Sequence, residues 1–337
     1  AGHLAIANMT GANRILIGLG WSGIALFSIY RNRSHDDSAI EERSGLLADV
    51  VHLDRDITLE ITFLLAATLY AFFVPLAGGV DVVDTLVLVG LYALYIAVIL
   101  RGEVEEVEDQ VGVPAYFHEY RKRNRALVSL LLFAYSGALI YIAVHEFAHG
   151  LENLGTAVGV PSFFMIQWIA PLASESPELI VVAYLVNKAR STAGFNALVS
   201  SKLNQWTLLI GTLAVVYSVA LGSVGTLTFD AKQAAEIWIT AGQSFFAIAV
   251  LVNFAISGRE AVVLLGLFVS QVLIEFAIIK EYVALPVSSY DVLIIYAAVY
   301  IALGAALFVH RRHEMWRILT STGTRIRGAF GGGDGSV

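Results

Sequence analysis

There is no cysteine among the 337 residues, which excludes a disulfide framework, a thiol nucleophile and any Cys-ligated metal. Charge is scarce too: 15% of residues are Asp, Glu, Lys or Arg, against about 25% in a soluble domain. A chain this short of solvent-facing material cannot cover a water-soluble globule. The net charge is -7, and the basic residues stand in clusters between apolar runs. That clustering bears on membrane orientation and gives no footprint for nucleic acid. Proline is rare, with six in all, and two of them, Pro171 and Pro177, fall within one apolar run. The first residues, Ala1-Gly2-His3, include neither Met nor a basic-then-apolar secretion signal, which is the expected look of a processed or trimmed chain.

What the chain does contain is hydrocarbon: 57% of its residues are hydrophobic and its mean hydropathy is +0.72. These residues gather in runs of roughly twenty, the length that crosses a bilayer as a helix. The expected class is an all-α polytopic membrane protein with about nine transmembrane helices, near residues 4–30, 59–76, 83–100, 126–147, 162–186, 195–221, 234–256, 261–279 and 292–309. Polar loops occupy 31–56 and 101–125. A tail from 311 is basic and then Gly-rich, with its last ten or so residues expected to be disordered. Nine crossings put every basic cluster on one face: Arg31, Arg33 and Arg43; Arg121, Lys122, Arg123 and Arg125; Lys188 and Arg190; Arg259; Arg311, Arg312 and Arg317. By the positive-inside rule that face is cytoplasmic, as is the C-terminus, and residue 1 lies on the outer side of a multi-pass cell-membrane protein.

The stretch from Pro161 to Gly211 reads as two membrane helices joined by a short basic turn. It carries Glu175 and Glu178 beside the two prolines. Carboxylates in hydrocarbon are expensive, so by default they mark an ion or proton path. Each proline removes a backbone donor, which frees the carbonyls of Gln167 and Ala173 four residues earlier. Free carbonyls beside two carboxylates make an all-oxygen site suited to hard cations such as Na⁺ or Ca²⁺. The plainer reading is a kinked helix whose carboxylates bond neighbouring helices.

The chain also repeats itself. Thr10 to Gly20 (TGANRILIGLG) aligns with Ser201 to Gly211 (SKLNQWTLLIG), placing Asn13 on Asn204 and Gly20 on Gly211 at an offset of 191. Nine crossings run the two segments in opposite directions, the signature of inverted-topology transporters, whose site lies where broken helices of the two repeats meet. The partition that follows is 1–125 for the remainder of the first repeat, 126–310 for the second repeat with an extra span, and 311–337 for the tail. The offset sends the partner of Glu178 to a position ahead of Ala1. A separate or preceding N-terminal segment is therefore the expected source of the first repeat's acidic helix.

At these residues the chain resembles the calcium/cation antiporter superfamily, which includes the sodium/calcium exchangers. The motif there is a Gly, then about twelve residues later Gly-Thr-Ser-x-Pro-Glu-Leu, then Gly-Ser-Asn-x-x-Asn and an apolar run ending in Gly. GVPSFFMIQWIAPLASESPEL, Gly159 to Leu179, keeps that spacing, with Ser174 on the motif Thr, Glu175 on the Ser, Pro177 on the Pro and Glu178 on the ion-binding Glu. VSSKLNQWTLLIG resembles the second half, its Ser-Asn pair replaced by Ser200-Ser201 or Ser201-Lys202. The resemblance implies a secondary-active antiporter that exchanges Na⁺ (or H⁺) for Ca²⁺ or another cation by alternating access. It implies no enzyme and no organic cofactor, with the lipid bilayer and inorganic cations as partners. Glu178 is the main expected ligand, with Glu175, Ser174, Ser201, Asn204, Asn13 and Thr10 around it.

Lys202 lies about as far from the turn near Arg190 as Glu178 does, roughly 18 Å up its helix at 1.5 Å per residue. It therefore either pairs with Glu178 as an internal cation, modulating the site's charge, or snorkels to the cytoplasmic surface. The alternative within transport is a cation/proton antiporter using Glu175, Glu178 and Lys202. Arg14 is expected to pair with Glu152 or lipid phosphate. A reading of another class rests on His145-Glu146-Phe147-Ala148-His149, an H-E-x-x-H sequence. On a helix it offers two zinc ligands, His145 and His149, and a general base, Glu146, as in an intramembrane metalloprotease. That reading needs a third ligand from another helix, and places the motif at the outer end of the fourth span.

Overall fold

The computed structural model of the chain describes residues 2–34, 36–101, 116–117, 120–282 and 286–330. Among them, nine helices are long and apolar enough to cross a membrane: Leu4–Asn32, Arg55–Ala77, Val82–Arg101, Lys122–Val158, Ser162–Asn187, Ser191–Leu221, Ala231–Leu251, Gly258–Ile279 and Ser289–His310. Each expected apolar run is one of these helices. The fourth departs most, continuing through the HEFAH stretch to Val158 and stopping where Gly159 turns left-handed (φ 65°). The tail carries a further helix, Arg312–Phe330, with Ile318 and Thr322 turned inward and the Thr322 and Thr62 hydroxyls 2.8 Å apart. The tail's expected disorder, at 331–337, lies outside the described residues, as does most of the second polar loop.

Short strands tie the loops together and fix which ends share a face. Strands β1 (Ile40–Glu41) and β2 (Val50–His52), between the first and second spans, form an antiparallel sheet with β5 (Ala255–Ser257), between the seventh and eighth. Val51 sits opposite Ile256. At the other face β3 (Gly79–Val80), after the second span, pairs with β4 (Leu227–Thr228), after the sixth. Side chains agree with this parity. Arg311, just past the ninth span, pairs with Glu260 and donates to the Ala249 carbonyl (3.1 Å) at the face holding β5. Lys280, past the eighth, donates to the carbonyls of Val158 (2.8 Å) and Gly159 (3.1 Å) at the opposite face.

The seventh, eighth and ninth spans each begin with a capping box, Asp230 with Gln233, Ser257 with Glu260 and Ser288 with Asp291, satisfying amides that the helix start leaves open. The first and seventh spans form the interior, with 78% and 83% of their most apolar stretch buried, whereas the fourth is peripheral, with none. The first and sixth spans are interrupted by π-helical segments at Leu16–Trp21 and Gln205–Leu209, overlapping stretches under the repeat alignment. Such segments shift the backbone bonding register and frequently occur at functional sites. The interruption thus sits in the two crossing helices. The proline-bearing fifth span is one continuous α-helix, Ser162–Asn187, with Pro171 and Pro177 inside it.

Candidate cation site

The fifth and sixth spans form an antiparallel hairpin, turning at Ala189, whose φ is 55°. Rungs of this hairpin carry the carboxylates. Ser201 Oγ donates to Glu178 Oε2 at 3.0 Å, and one helical turn further along Gln205 Nε2 donates to Glu175 Oε2 at 2.9 Å. Both carboxylates are half-buried. Ser174 and Asn204 are exposed. Ser174 Oγ donates to the Pro171 carbonyl at 3.2 Å. Five expected residues, Glu175, Glu178, Ser174, Ser201 and Asn204, therefore share the hairpin.

The first span completes the crossing, and there several expectations change. Of the carbonyls released by the prolines, the Ala173 oxygen accepts from Ser176 Oγ at 2.8 Å, and the Gln167 oxygen lies against Gly11 of the first span. A Cβ on Gly11 would sit 1.7 Å from that oxygen, so only glycine permits this approach. Thr10 is buried but spends its hydroxyl on its own helix, donating to the carbonyls of Ile6 (2.9 Å) and Ala7 (3.2 Å). Lys202 neither pairs with Glu178 nor snorkels. It is completely buried, on a different side of its helix from Ser201, and its Nζ donates to Asn13 Oδ1 at 2.7 Å and the Asn13 carbonyl at 3.3 Å. The ammonium also stands 4.4 Å from the centre of the Trp206 ring.

Arg14 does not reach Glu152. Its guanidinium is paired with Glu236 of the seventh span, with 1% and 0% of the two side chains exposed, and stacks 4.5 Å over the Trp168 ring. From Arg14 a chain of bonds continues: to Gln271 Oε1 (3.0 Å), from Gln271 Nε2 to Glu275 Oε2 (2.9 Å), and to Glu275 Oε1 from Lys232 (3.1 Å) and Ser289 (3.1 Å). Two arginine or lysine cations and two carboxylates are thus balanced inside the bundle, joining the first, seventh, eighth and ninth spans. The sequence reading missed this network. Its signal was present, because Glu236 and Glu275 both fall within apolar runs where a carboxylate needs a reason.

The HEFAH histidines stack on one helix face, ring centres 4.5 Å apart, and His149 Nδ1 lies 3.4 Å from Glu152 Oε2. Both are exposed on the peripheral fourth span. No cluster of three or more His, Cys, Asp or Glu forms a metal-binding group among the described residues, so the zinc reading has no third ligand. A cavity of about 620 Å³ lies elsewhere, in the loop region lined by Glu41, Arg43, Ser44, Ala48, Ser257 and Arg259.

Comparison with known proteins fits this arrangement. A search of curated protein sequences gave no match. Among solved structures the chain is similar to one described as the crystal structure of the H⁺/Ca²⁺ exchanger CAX, at 42% sequence identity and a TM-score of 0.81, covering 96% of this chain and 76% of that one. The profile of the family described as sodium/calcium exchanger protein matches residues 1–101 and 128–277, a span that includes the crossing helices, both carboxylates and Lys202. The chain belongs to the sodium/calcium exchanger protein family.

Proposed function

We propose that this protein is a cation antiporter that exchanges Ca²⁺, or a similar hard cation, for protons by alternating access. The observation that carries the reading is the pair Glu175 and Glu178, two half-buried carboxylates that accept from neutral donors, Gln205 and Ser201. A buried ionised pair is unfavourable unless its charge is balanced. One divalent cation balances it, and so do two protons. The pair is neutral in both loaded states and charged only when empty, which penalises crossing the membrane without cargo. Oxygen-only coordination from Glu178, Glu175, Ser174, Ser201 and Asn204 suits Ca²⁺. The similarity to an H⁺/Ca²⁺ exchanger favours protons over Na⁺ as the counter-ion.

The face bearing β1, β2, β5 and the clustered arginines is the cytoplasmic one, with the C-terminal helix on that side and the N-terminus outside. No organic cofactor enters this scheme.

The test is proton release on Ca²⁺ addition to the purified protein in weakly buffered detergent solution. The parent is expected to release protons saturably as Ca²⁺ binds. Glu178→Gln is expected to bind Ca²⁺ at least about tenfold more weakly, a loss of about 1.4 kcal/mol or more. Unchanged binding in that variant, or binding without proton release, would overturn the scheme, and Na⁺ displacement in place of proton release would move the counter-ion to Na⁺.

A further inference from the structure

Lys202 has no role as a partner for the carboxylates, yet it is wholly buried. An ammonium in hydrocarbon is costly unless its surroundings replace water. Its contacts are of one kind. Asn13 Oδ1 and the Asn13 carbonyl are acceptors, at 2.7 and 3.3 Å, and the Trp206 ring presents its negative face at 4.4 Å. None of these groups donates a hydrogen bond to Nζ. The Asn13 amide is held for this purpose: Nδ2 donates to the Met9 carbonyl at 2.9 Å, leaving Oδ1 as the end turned to Lys202. The oxygens sit just ahead of the π segment of the first span, and Trp206 lies within that of the sixth. In the repeat alignment the position matching Lys202 is Gly11, so the lysine is no part of the symmetric scaffold.

We propose that Asn13 Oδ1, the Asn13 carbonyl and the face of Trp206 form a second cation position, distinct from Glu175–Glu178, which Lys202 fills with a tethered ammonium in place of a free monovalent cation. Tethering keeps one positive charge fixed at the helix crossing through the cycle, so the protein draws no ion from solution there. Removing the tether should convert the position into a site for Na⁺ or K⁺. In transport terms the proposal rests on the antiport reading, but its test does not need flux.

The experiment is equilibrium binding of radiolabelled Na⁺ and of K⁺ to the purified full chain, at constant ionic strength made up with choline chloride. Tryptophan fluorescence is followed in parallel, because Trp206 borders the position. Lys202→Ala is expected to bind one more monovalent cation per chain than the parent, with a saturable fluorescence change that choline does not produce. Lys202→Met, which fills the space with an apolar chain, is expected to show neither, and adding Asn13→Leu to Lys202→Ala should abolish the gain. Lys202→Ser provides the same test if the alanine variant aggregates, with the same gain expected. A monodisperse Lys202→Ala or Lys202→Ser protein that gains no cation overturns the proposal, as does an equal gain in Lys202→Met. Failure of Ca²⁺ binding by the parent would instead count against the antiport reading and leave this result standing.

Discussion

A carboxylate in this protein behaves according to what its neighbours can offer, and three of them span the range. Glu41, in the loop sheet, accepts two hydrogen bonds from Arg43 at 2.8 Å each and one contact from His52 at 2.8 Å. The Arg43 bonds, then the His52 bond, lower its pKa from 4.5 to about 2. A depressed carboxylate contributes above its unfolded value and loses that contribution as pH falls through the folded one. The loop pairing should therefore persist through mild acid and fail only toward pH 2, and Arg43→Ala should return the Glu41 titration, followed by carboxyl NMR, toward 4.5. Glu236, deep in the bundle, has Arg14 instead, and Glu178 accepts from a serine hydroxyl. That ordering, from doubly ion-paired to held by neutral donors, is why Glu178 and Glu175 are proposed as the carboxylates that meet cargo. Both stand out in the sequence as two acids beside two prolines in an apolar run. Their partners do not, because which side of a helix faces which neighbour depends on packing that spacing alone leaves undetermined. Lys202 shows this best: equal depth suggested Glu178, while helix rotation delivered it to Asn13.

At the scale of helices, the bundle is organised by close approach of the first span to the fifth and by the balanced ionic chain from Arg14 to Lys232. Buried pairs of this kind are weak sources of stability as long as they are intact but costly to break from one side. Glu236→Gln should destabilise the protein by about 3–5 kcal/mol, because Arg14 keeps its charge and loses its partner. Replacing both, as Arg14→Met with Glu236→Leu, should recover most of the loss, measured as the thermal unfolding midpoint of purified protein in detergent. If the single and double variants melt alike, the pair is not coupled. The nine membrane-length apolar helices among the described residues were readable from hydropathy. The continuity of the fifth span was not, since proline predicts a break where neighbouring Ser174 and Ser176 hydroxyls instead bond nearby carbonyls. The π segments left no local mark in composition, although the repeated Asn and Gly positions around them did align.

At the scale of the molecule, the paired loops define two faces, and the absence of cysteine makes that directly testable. Val51→Cys with Ile256→Cys places two thiols on facing residues of β2 and β5, within the reach of neighbouring strands. Mild oxidation should cross-link them. No cross-link would mean that the loops after the first and seventh spans do not meet. Span parity and the clustering of arginines on one face were evident from sequence. The loop sheet on the arginine-bearing face was not, because strands of two and three residues carry too little periodicity to announce themselves.

The central claim, that Glu175 and Glu178 carry Ca²⁺ in one direction and protons in the other, is tested most directly in sealed vesicles containing the full-length protein. With an acidic interior and no Na⁺ on either side, radiolabelled Ca²⁺ should accumulate against its gradient, collapse when a protonophore dissipates the pH difference, and be lost in Glu178→Gln. Accumulation that is equal in Glu178→Gln, or that proceeds only when Na⁺ replaces the proton gradient, would contradict the account.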